Sequence, residues 1–326
     1  MAGDFALVTQ VDDGAPTGDD GRGRTPTSSV SQPSLVVAML QALDAEPGHR
    51  VWEIGTGSGY NTALLCHALG EDAVVSVEVD RGLVETAVKN LARAGYSPTV
   101  VAADGAVIPE GTGEAPFDRV LSTVSARGSV PRSWVEQTRQ DGLIVTPFEV
   151  GNTPGVLLKL RAHGDGSATG RFIGDAAFMV MRSQRPDRRR VRELVNEDAS
   201  GVRETLVEVN PRIVAYRDQG WQITLGHLVP DLRYAVYEAS EDHPKWAGEA
   251  TVYVATPDGS WALGEYAPSG DPYEARRAGP RDVWGEIAAA WHEWTRYGSP
   301  GRDRLGITVD GEGTHLWADT PHGLLE

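Results

Sequence analysis

Residues 51–63, VWEIGTGSGYNTA, hold the strongest structural signal in the chain. The residues Arg50–Ile54 predict a short strand, three glycines follow at alternate positions, and Tyr60–Leu69 predicts a helix. Glycines between a strand and a helix let the backbone approach a bound molecule closely, and the helix N-terminus favours an anionic group. The stretch therefore predicts a strand, loop and helix unit that carries a ligand on its loop.

Strands and helices are predicted to alternate on both sides of this unit. The predicted helices are Ser28–Leu43, which has Ser31 as its cap, Leu83–Ala94 and Trp134–Arg139. The predicted strands are Ala73–Val79, Thr99–Ala103, Arg119–Ser122 and Gly142–Pro147, with edge strands at Val156–Arg161 and Thr169–Met181. Residues Asp12–Thr27 are polar and predict an exposed loop. This repetition predicts an α/β class and a doubly wound, Rossmann-like sheet with helices on both faces.

The spacing of the glycines favours one type of cofactor. The loop is Gly-x-Gly-x-Gly, from Gly55 to Gly59, whereas nicotinamide dehydrogenases use Gly-x-Gly-x-x-Gly after a similar strand. An acidic residue, Glu53, stands two positions before the first glycine. Both details favour S-adenosylmethionine, and a nicotinamide dehydrogenase is the alternative of the same fold.

Two further strand ends carry acidic residues. Glu78 ends the second strand, where a carboxylate can accept both hydroxyls of a ribose, and Asp104 ends the third, where it can hold an adenine amine. Each residue alone is equally compatible with a solvated strand end, but the three consecutive ends together favour a cofactor site. The predicted cofactor residues are Glu53, Gly55, Thr56, Gly57, Ser58, Gly59, Glu78, Asp104 and Gly105.

Composition limits the class of protein and its partners. The chain has 326 residues and a formal net charge of −16, which argues against nucleic acid as the main partner. It has no apolar run of the ~20 residues needed to span a membrane, so no membrane partner is expected. The single cysteine, Cys66, cannot form an internal disulfide and indicates a cytoplasmic location. The eight histidines lack the spacing of metal ligands, so no metal is expected.

The second half of the chain has a different pattern, which predicts a second domain. A polar hinge at Arg185–Arg190 suggests a first domain of residues 1–183 and an α+β domain of residues 184–326. A hairpin is predicted around Pro257-Asp258-Gly259 and a helix at Asp282–Tyr297, with a last hairpin around Asp310-Gly311. Seven of the nine tryptophans follow Gln184, which indicates that this domain has its own core.

Residues 28–147 resemble the protein L-isoaspartate O-methyltransferase family. The resemblance rests on Ser31-Gln32-Pro33, on residues 51–63 and on Pro116-Phe117-Asp118. It implies a class I methyltransferase fold, S-adenosylmethionine as cofactor and a carboxylate as methyl acceptor. The chain departs from the family at Thr123-Val124-Ser125-Ala126, where Thr-Ala-Ala is usual. Family members also carry tens of residues before the segment that resembles Ala6–Gln10, so we expect Met1 to be a truncated or misassigned start.

Other segments resemble a subgroup found beside enzymes that mature ribosomal peptides such as lanthipeptides, lasso peptides and graspetides. These segments are Val130-Pro131, Trp134-Val135, Gln137-Thr138, Ala168–Arg171 and Phe178–Arg185. The resemblance implies esterification of an aspartate side chain in a modified, pre-cyclised precursor peptide, followed by aspartimide or isoaspartate formation. Repair methylation of isoaspartyl peptides and a non-catalytic peptide-binding role are the alternatives. The sequence leaves the oligomeric state open.

A carboxylate acceptor reduces what the protein must supply. Its pKa is near ~4, so it is ionised at neutral pH, and we expect no general base. The resemblance makes Ser31 the predicted catalytic residue that holds the carboxylate, although a plain helix cap is the alternative. Thr123, predicted as catalytic, and Ser125 follow the fourth strand, where open sheets bind substrates, but both residue types also make turns.

The remaining predicted substrate contacts are less specific. Gln32 adjoins Ser31, and Trp134 either lines the cleft or belongs to the core. A basic run contrasts with the acidic background and either clamps an acidic peptide or forms a solvated face. This run is Arg182, Arg185, Arg188, Arg189, Arg190 and Arg192, of which Arg188, Arg189 and Arg190 are the predicted clamp.

Overall fold

The structure is a computed structural model that describes residues 3–15, 23–107, 116–151, 153–239, 247–270 and 272–326. The chain divides into two compact units. The first contains Met1–Glu149, Pro154–Arg185 and Gly306–His315, and the second contains Val150–Thr153, Pro186–Leu305 and Leu316–Glu326. The predicted second domain of residues 184–326 differs from the second unit mainly because residues 306–315 belong to the first.

The first unit contains most of the strand and helix alternation. Its strands are β1 (Leu7–Val11), β2 (Pro26–Val30), β3 (Val51–Ile54), β4 (Val74–Glu78), β5 (Thr99–Ala102), β6 (Phe117–Ser122), β7 (Ala126–Arg127), β8 (Thr138–Glu149), β9 (Val156–Ala162) and β10 (Ala168–Asp175). Its helices are α1 (Pro33–Leu43), α2 (Tyr60–Leu69), α3 (Arg81–Arg93) and α4 (Arg132–Glu136).

The central sheet has the order β17-β16-β10-β9-β8-β6-β3-β4-β5, in which β16 (Leu305–Val309) and β17 (Thr314–Ala318) come from the end of the chain. Strands β8, β6, β3, β4 and β5 run parallel, and β9 and β10 are antiparallel additions. Every residue of β3, β4 and β6 is buried, as expected when helices cover both faces of a parallel sheet. Chain order reverses on the two sides of β3, which places a ligand crevice at the carboxyl ends of β3 and its neighbours. The predicted doubly wound α/β sheet is confirmed.

Three predicted element boundaries need correction. Helix α1 begins at Pro33, and its cap position is Gln32 rather than Ser31, because Pro33 fixes a helical first residue and disfavours a helical residue before it. Helix α4 ends at Glu136, before the predicted Arg139, because Thr138 already pairs with Phe117 in the sheet. Strand β10 ends at Asp175, and the chain from there to Met181 leaves β9.

The predicted loop at Asp12–Thr27 connects the two strands of a β-hairpin, and of its described residues Pro26 and Thr27 belong to a strand. Strands β1 and β2 pair antiparallel, with Leu7 opposite Val30 and Val11 opposite Pro26. A turn at Asp12–Gly14 follows β1, and residues 16–22 of the predicted loop lie outside the described residues. The β-branched residues of the two strands were the available sequence signal for this hairpin.

The second unit contains an antiparallel sheet and a tryptophan-rich core. Its elements are α5 (Val191–Leu194), β11 (Arg203–Val207), α6 (Gln219–Leu228), β12 (Arg233–Glu238), β13 (Ala250–Ala255), β14 (Trp261–Tyr266), β15 (Tyr273–Ala278) and α7 (Val283–Arg296). The sheet order is β11-β15-β14-β13-β12, and β13 and β14 form the predicted hairpin. Trp221, Trp284 and Trp294 pack in one core cluster. The chain closes with β16 (Leu305–Val309) and β17 (Thr314–Ala318).

Candidate functional site

A cavity of about 360 Å³ lies in the first unit at the carboxyl ends of β3 and β4. This volume falls in the ~300–1,000 Å³ range of small-molecule sites. One side, here called the strand-end wall, consists of residues 54–58, 60–61, 77–79, 104–105 and 123–124, and the predicted cofactor residue Gly59 is outside the lining. The other side, here called the hairpin wall, consists of Ala6, Val8, Arg185 and residues 26–32 and 177–182.

The glycine loop forms the centre of the strand-end wall. Gly55, Gly57 and Gly59 have φ angles of +93°, +54° and +85°, which L side chains rarely adopt. A Cβ atom at Gly55 would also lie 2.6 Å from Thr123 Oγ1. Gly55 N–H donates to Val77 O at 2.8 Å, which ties the loop to the neighbouring strand. The loop conformation therefore depends on glycine at this position.

Glu53 lies behind this loop and is completely buried. Its carboxylate accepts hydrogen bonds from Asn61 Nδ2 at 2.6 Å, Thr62 Oγ1 at 2.5 Å and Ser76 Oγ at 2.6 Å. Burial raises the pKa of Glu53, and the three hydrogen bonds oppose that shift. Glu53 is outside the cavity lining but holds Asn61, which lines it. Its geometry supports an indirect role, in which it positions the loop and the start of α2.

The two acidic strand ends both line the cavity. Glu78 accepts hydrogen bonds from the N–H groups of Gly57, at 3.0 Å, and Asp80, at 3.1 Å. A carboxylate has about four lone-pair sites, so two remain for ligand hydroxyls. Asp104 accepts a hydrogen bond from Ala106 N–H at 2.9 Å. The predicted cofactor residues Thr56, Ser58 and Gly105 line the same cavity.

Two of the predicted substrate residues are on the hairpin wall. Ser31 and Gln32 line the cavity across from the glycine loop. Gln32 Nε2 donates to Asp4 Oδ2 at 2.9 Å, so this amide already has a protein partner. Ser31 is not the helix cap, because the cap position of α1 belongs to Gln32. Ser31 therefore remains the predicted contact of the methyl acceptor.

Thr123 lines the cavity, but its hydroxyl faces the glycine loop. Thr123 Oγ1 lies 2.5 Å from Gly55 O and 3.1 Å from Ile54 O, and its N–H donates to Ile54 O at 2.8 Å. The hydroxyl has one proton to donate and uses it on the loop backbone. This geometry supports a positioning role for Thr123 rather than the predicted direct contact with the methyl acceptor.

Ser125 and Trp134 are fully buried and lie outside the cavity lining. Ser125 N–H donates to Met179 O at 2.8 Å, and Met181 N–H donates to Ser125 O at 2.9 Å, so Ser125 anchors the hairpin wall. Trp134 Nε1 donates to Gly105 O at 2.7 Å and supports the strand-end wall from the core. Neither residue has the direct access to substrate that the sequence analysis predicts.

The predicted arginine clamp belongs to the second unit. Arg189 is bound to Asp187 Oδ2 through Nε at 2.8 Å and Nη2 at 2.6 Å. Arg190 N–H donates to Glu193 Oε2 at 2.6 Å at the start of α5. Arg188 is exposed, and none of the three lines the cavity of the first unit. Peptide binding by Arg188, Arg189 and Arg190 stays a prediction.

An ionic network beside the hairpin wall was not predicted from the sequence. Asp13 accepts two hydrogen bonds from Arg185, at 2.6 and 2.9 Å, and one from Arg182 at 2.9 Å. Arg182 also lies 3.4 Å from Asp80 Oδ2, and Gln10 Nε2 donates to the same oxygen at 3.1 Å. The hydrogen bonds from Arg185 are the main cause of a lowered pKa at Asp13. The basic run in the sequence indicated the arginines but not this partner.

In the part of the chain that the structure describes, no group of three or more His, Cys, Asp or Glu residues is arranged to hold a metal ion. No helix of these residues has the length and apolar character needed to cross a membrane.

The part of the chain that forms most of this cavity matches a known protein family. The family model for protein-L-isoaspartate(D-aspartate) O-methyltransferase matches residues 20–185. The chain is 38% identical over 139 residues to protein-L-isoaspartate O-methyltransferase 2 of Rhodopseudomonas palustris, which covers 42% of this chain and 62% of that protein. It is 34% identical over 164 residues to the protein-L-isoaspartate O-methyltransferase of Methanosarcina mazei, covering 49% and 63%. The chain thus spans less than two thirds of the length of these relatives.

A solved structure titled protein-L-isoaspartate O-methyltransferase resembles the chain over almost its full length. It covers 98% of this chain and 87% of its own, with a TM-score of 0.55 and 24% sequence identity. At this identity the similarity concerns the fold alone. It extends to the second unit, which the family model does not match.

Proposed function

This chain belongs to the protein-L-isoaspartate(D-aspartate) O-methyltransferase family, whose cofactor is S-adenosylmethionine, and we propose that it methylates the free carboxylate of an isoaspartyl residue in a peptide. The observation that carries the proposal is one cavity with two unlike walls. The glycine loop, Glu78 and Asp104 lie on one wall, and Ser31 lies on the other. Residues 20–185, which match the family, include most of both walls.

The strand-end wall has suitable groups for the cofactor. The N-terminus of α2, which directly follows the loop, suits the carboxylate of its amino-acid part. Glu78 has lone pairs left for the two ribose hydroxyls, and Asp104 has them for the adenine amine. The cofactor supplies a methyl group that its sulfonium has already activated. Positioning and exclusion of water are therefore the tasks left to the protein.

The acceptor carboxylate requires no proton transfer, because it is already ionised at neutral pH. In our proposal the Ser31 hydroxyl would donate a hydrogen bond to one carboxylate oxygen and leave the other oxygen free to accept the methyl group. Thr123 acts indirectly, since its hydroxyl holds the Gly55 carbonyl and with it the loop. The reaction exchanges a sulfur–carbon bond for an oxygen–carbon bond and releases S-adenosylhomocysteine.

A second candidate is the esterification of an aspartate side chain in a modified ribosomal peptide. The supporting observation is that residues 178–185, part of the resemblance to that subgroup, include five cavity-lining residues before Arg185. The second unit gives this candidate less support than the sequence analysis expects, because a solved isoaspartate methyltransferase has a similar fold over nearly the whole chain. Isoaspartyl methylation is therefore the preferred proposal. A cytoplasmic location stays a prediction.

Calorimetric titration with S-adenosylhomocysteine tests the cofactor site. Glu78→Ala should lower the affinity roughly tenfold to a hundredfold, because a hydrogen bond to a charged group contributes about 1.5–3 kcal/mol. Glu85→Ala is the matched control, since Glu85 is an exposed residue of α3 outside the cavity. Unchanged affinity in Glu78→Ala would show that another residue binds the ribose hydroxyls.

Product analysis tests the acceptor and separates the two candidates. An isoaspartyl peptide incubated with protein and cofactor should gain about 14 Da, one methylene, and then release methanol as the ester closes. The matched peptide with a normal aspartate should stay unmodified. Methylation of a cyclised aspartyl peptide but not of the isoaspartyl peptide would favour the second candidate. A stable methyl group on nitrogen or on a hydroxyl would contradict both.

A further inference from the structure

Two arginines, Arg182 and Arg185, are the basic side chains among the described residues that line the cavity. The acidic residues of the lining, Glu78 and Asp104, are on the strand-end wall, so the cationic groups occur only on the hairpin wall. The protein as a whole carries a formal charge of −16 and repels an acidic peptide at long range. Two arginines side by side at the cavity are therefore a local exception in composition, and Asp13 and Asp80 balance their charge in the structure.

Both guanidinium groups already bind a carboxylate. Arg185 holds Asp13 through two parallel hydrogen bonds, from Nη1 at 2.6 Å and Nη2 at 2.9 Å, and Arg182 adds a third at 2.9 Å. Paired donors on one carboxylate are the geometry by which arginine recognises this group. The pair is thus arranged for a carboxylate ligand, and Asp13 occupies it in the structure.

A carboxylate of a bound peptide can replace the Asp13 carboxylate at the two arginines. The side chains of Asp13, Arg182 and Arg185 are 37%, 36% and 24% exposed, so water reaches the pair. Exposed ion pairs contribute little to stability, about 0–1 kcal/mol. A peptide carboxylate that takes the place of Asp13 would form the same hydrogen bonds, and Asp13 would move into solvent.

We infer that Arg182 and Arg185 bind a side-chain carboxylate of the peptide substrate, next to the residue that is methylated, and that Asp13 is its internal competitor. This inference rests on the proposed function, because it assumes a peptide in the cavity. It names the preferred substrate class as peptides with Glu or Asp beside the isoaspartyl residue. The substrate-binding arginines are then Arg182 and Arg185, which line the cavity, rather than Arg188–Arg190.

Binding of two synthetic peptides to the full chain tests the inference. Each contains one isoaspartyl residue, flanked on both sides by glutamate in one peptide and by glutamine in the other. Fluorescence anisotropy with saturating S-adenosylhomocysteine measures affinity without turnover. The wild-type protein should prefer the glutamate peptide, and Arg185→Gln should weaken its binding about tenfold with little effect on the glutamine peptide. Arg93→Gln, which makes the same charge change at an exposed position of α3, should keep the preference.

Asp13 variants test the competition. Asp13→Asn should tighten binding of the glutamate peptide about threefold and leave the glutamine peptide unchanged. Asparagine suits this position because Asp13 has a φ of +52°, a conformation that both residues tolerate. The double variant Asp13→Asn with Arg185→Gln should bind the glutamate peptide as weakly as Arg185→Gln alone. Recovery of affinity in the double variant would show that the released Asp13 repels the peptide and that Arg185 does not bind it.

The possible failures of this inference and of the proposed function are distinct. If the wild-type protein binds both peptides equally, or if Asp13→Asn weakens the glutamate peptide, the arginine site is wrong and the proposed function is unaffected. If the wild-type protein binds neither peptide, the proposed function itself is contradicted. Equal weakening of both peptides by Arg185→Gln would make Arg185 a structural support of the hairpin wall and would overturn the inference.

Discussion

The strand-end wall and the hairpin wall border the same cavity but are held together in different ways. Behind the strand-end wall, the completely buried Glu53 accepts three hydrogen bonds of 2.5–2.6 Å from neighbouring side chains. On the hairpin wall, Asp13 is held by arginines whose side chains are 24–36% exposed. A buried polar group costs much when its partner is lost, whereas an exposed ion pair exchanges readily with water or ligand. We therefore expect the strand-end wall, which suits the cofactor, to be rigid, and the hairpin wall, which suits the substrate, to be adjustable.

Removal of the Glu53 carboxylate should have the largest effect of any change in this comparison. Glu53→Ala leaves the buried Thr62 and Ser76, and Asn61 at the cavity, without the acceptor of their hydrogen bonds. We expect the free energy of unfolding to fall by about 2–4 kcal/mol, since each such group costs about 1–3 kcal/mol and part of this is relieved by rearrangement. Urea unfolding measures it, with the exposed Glu85→Ala as control. A loss below about 0.5 kcal/mol, the range of neutral surface changes, would show that the hydrogen bonds of Glu53 are not what makes this wall rigid.

Gly55→Ala tests the loop itself and has a matched control. Gly55 and Gly48 have nearly equal φ angles, +93° and +96°, but a Cβ at Gly48 meets nothing within 4 Å. Both variants should lose about 1–2 kcal/mol from left-handed backbone strain. Gly55→Ala should lose stability beyond this strain, because its Cβ displaces Thr123. It should also bind S-adenosylhomocysteine more weakly, whereas Gly48→Ala should do neither. Equal effects in calorimetry and urea unfolding would contradict a close approach at Gly55.

The pH dependence of stability gives a finer test of the Glu53 environment. Its folded-state pKa is raised, mainly by burial, so its favourable contribution is complete below the unfolded pKa of ~4.3 and is lost as the pH rises through the folded value. The unfolding free energy of the wild-type protein should therefore decline with rising pH relative to Glu53→Gln, which does not titrate. Urea unfolding at several pH values above ~4.3 measures the difference. An opposite drift would mean that the three donors outweigh burial.

The strand-end wall could be predicted from the sequence because its parts are local. Strand, glycine loop and helix are contiguous around Gly55, and carboxyl ends of parallel strands meet at one edge, which brings Glu78 and Asp104 together. The hairpin wall depends on contacts between distant parts of the chain. Asp13 and Arg185 are 172 positions apart, and nothing in local pattern or propensity pairs them.

Side-chain direction was the other property that the sequence could not supply. Ser125 and Trp134 occupy positions near strand ends that suit a substrate contact, yet both side chains are directed into the protein. Their hydrogen bonds to backbone groups of the two walls give them supporting roles. Position along a strand predicts which end of the sheet a residue occupies, whereas the pleat and the following turn decide which way it faces.

The smallest expected effect is that of Asp13→Asn on stability. Because the ion pairs of Asp13 are exposed and screened, the variant should lose at most about 1 kcal/mol of unfolding free energy at neutral pH. The pKa of Asp13 is lowered, chiefly by hydrogen bonds from Arg185, so its contribution is present above the unfolded pKa of ~3.9 and is lost as the pH falls through the folded value. The difference from wild type should therefore disappear in acid and shrink in high salt. Urea unfolding in low and high salt measures this, and Asp72→Asn, an exposed change outside the cavity, should show no such dependence. A loss as large as that of Glu53→Ala would mean that Asp13 holds the hairpin wall as firmly as Glu53 holds the glycine loop, and the two walls would then not differ in rigidity.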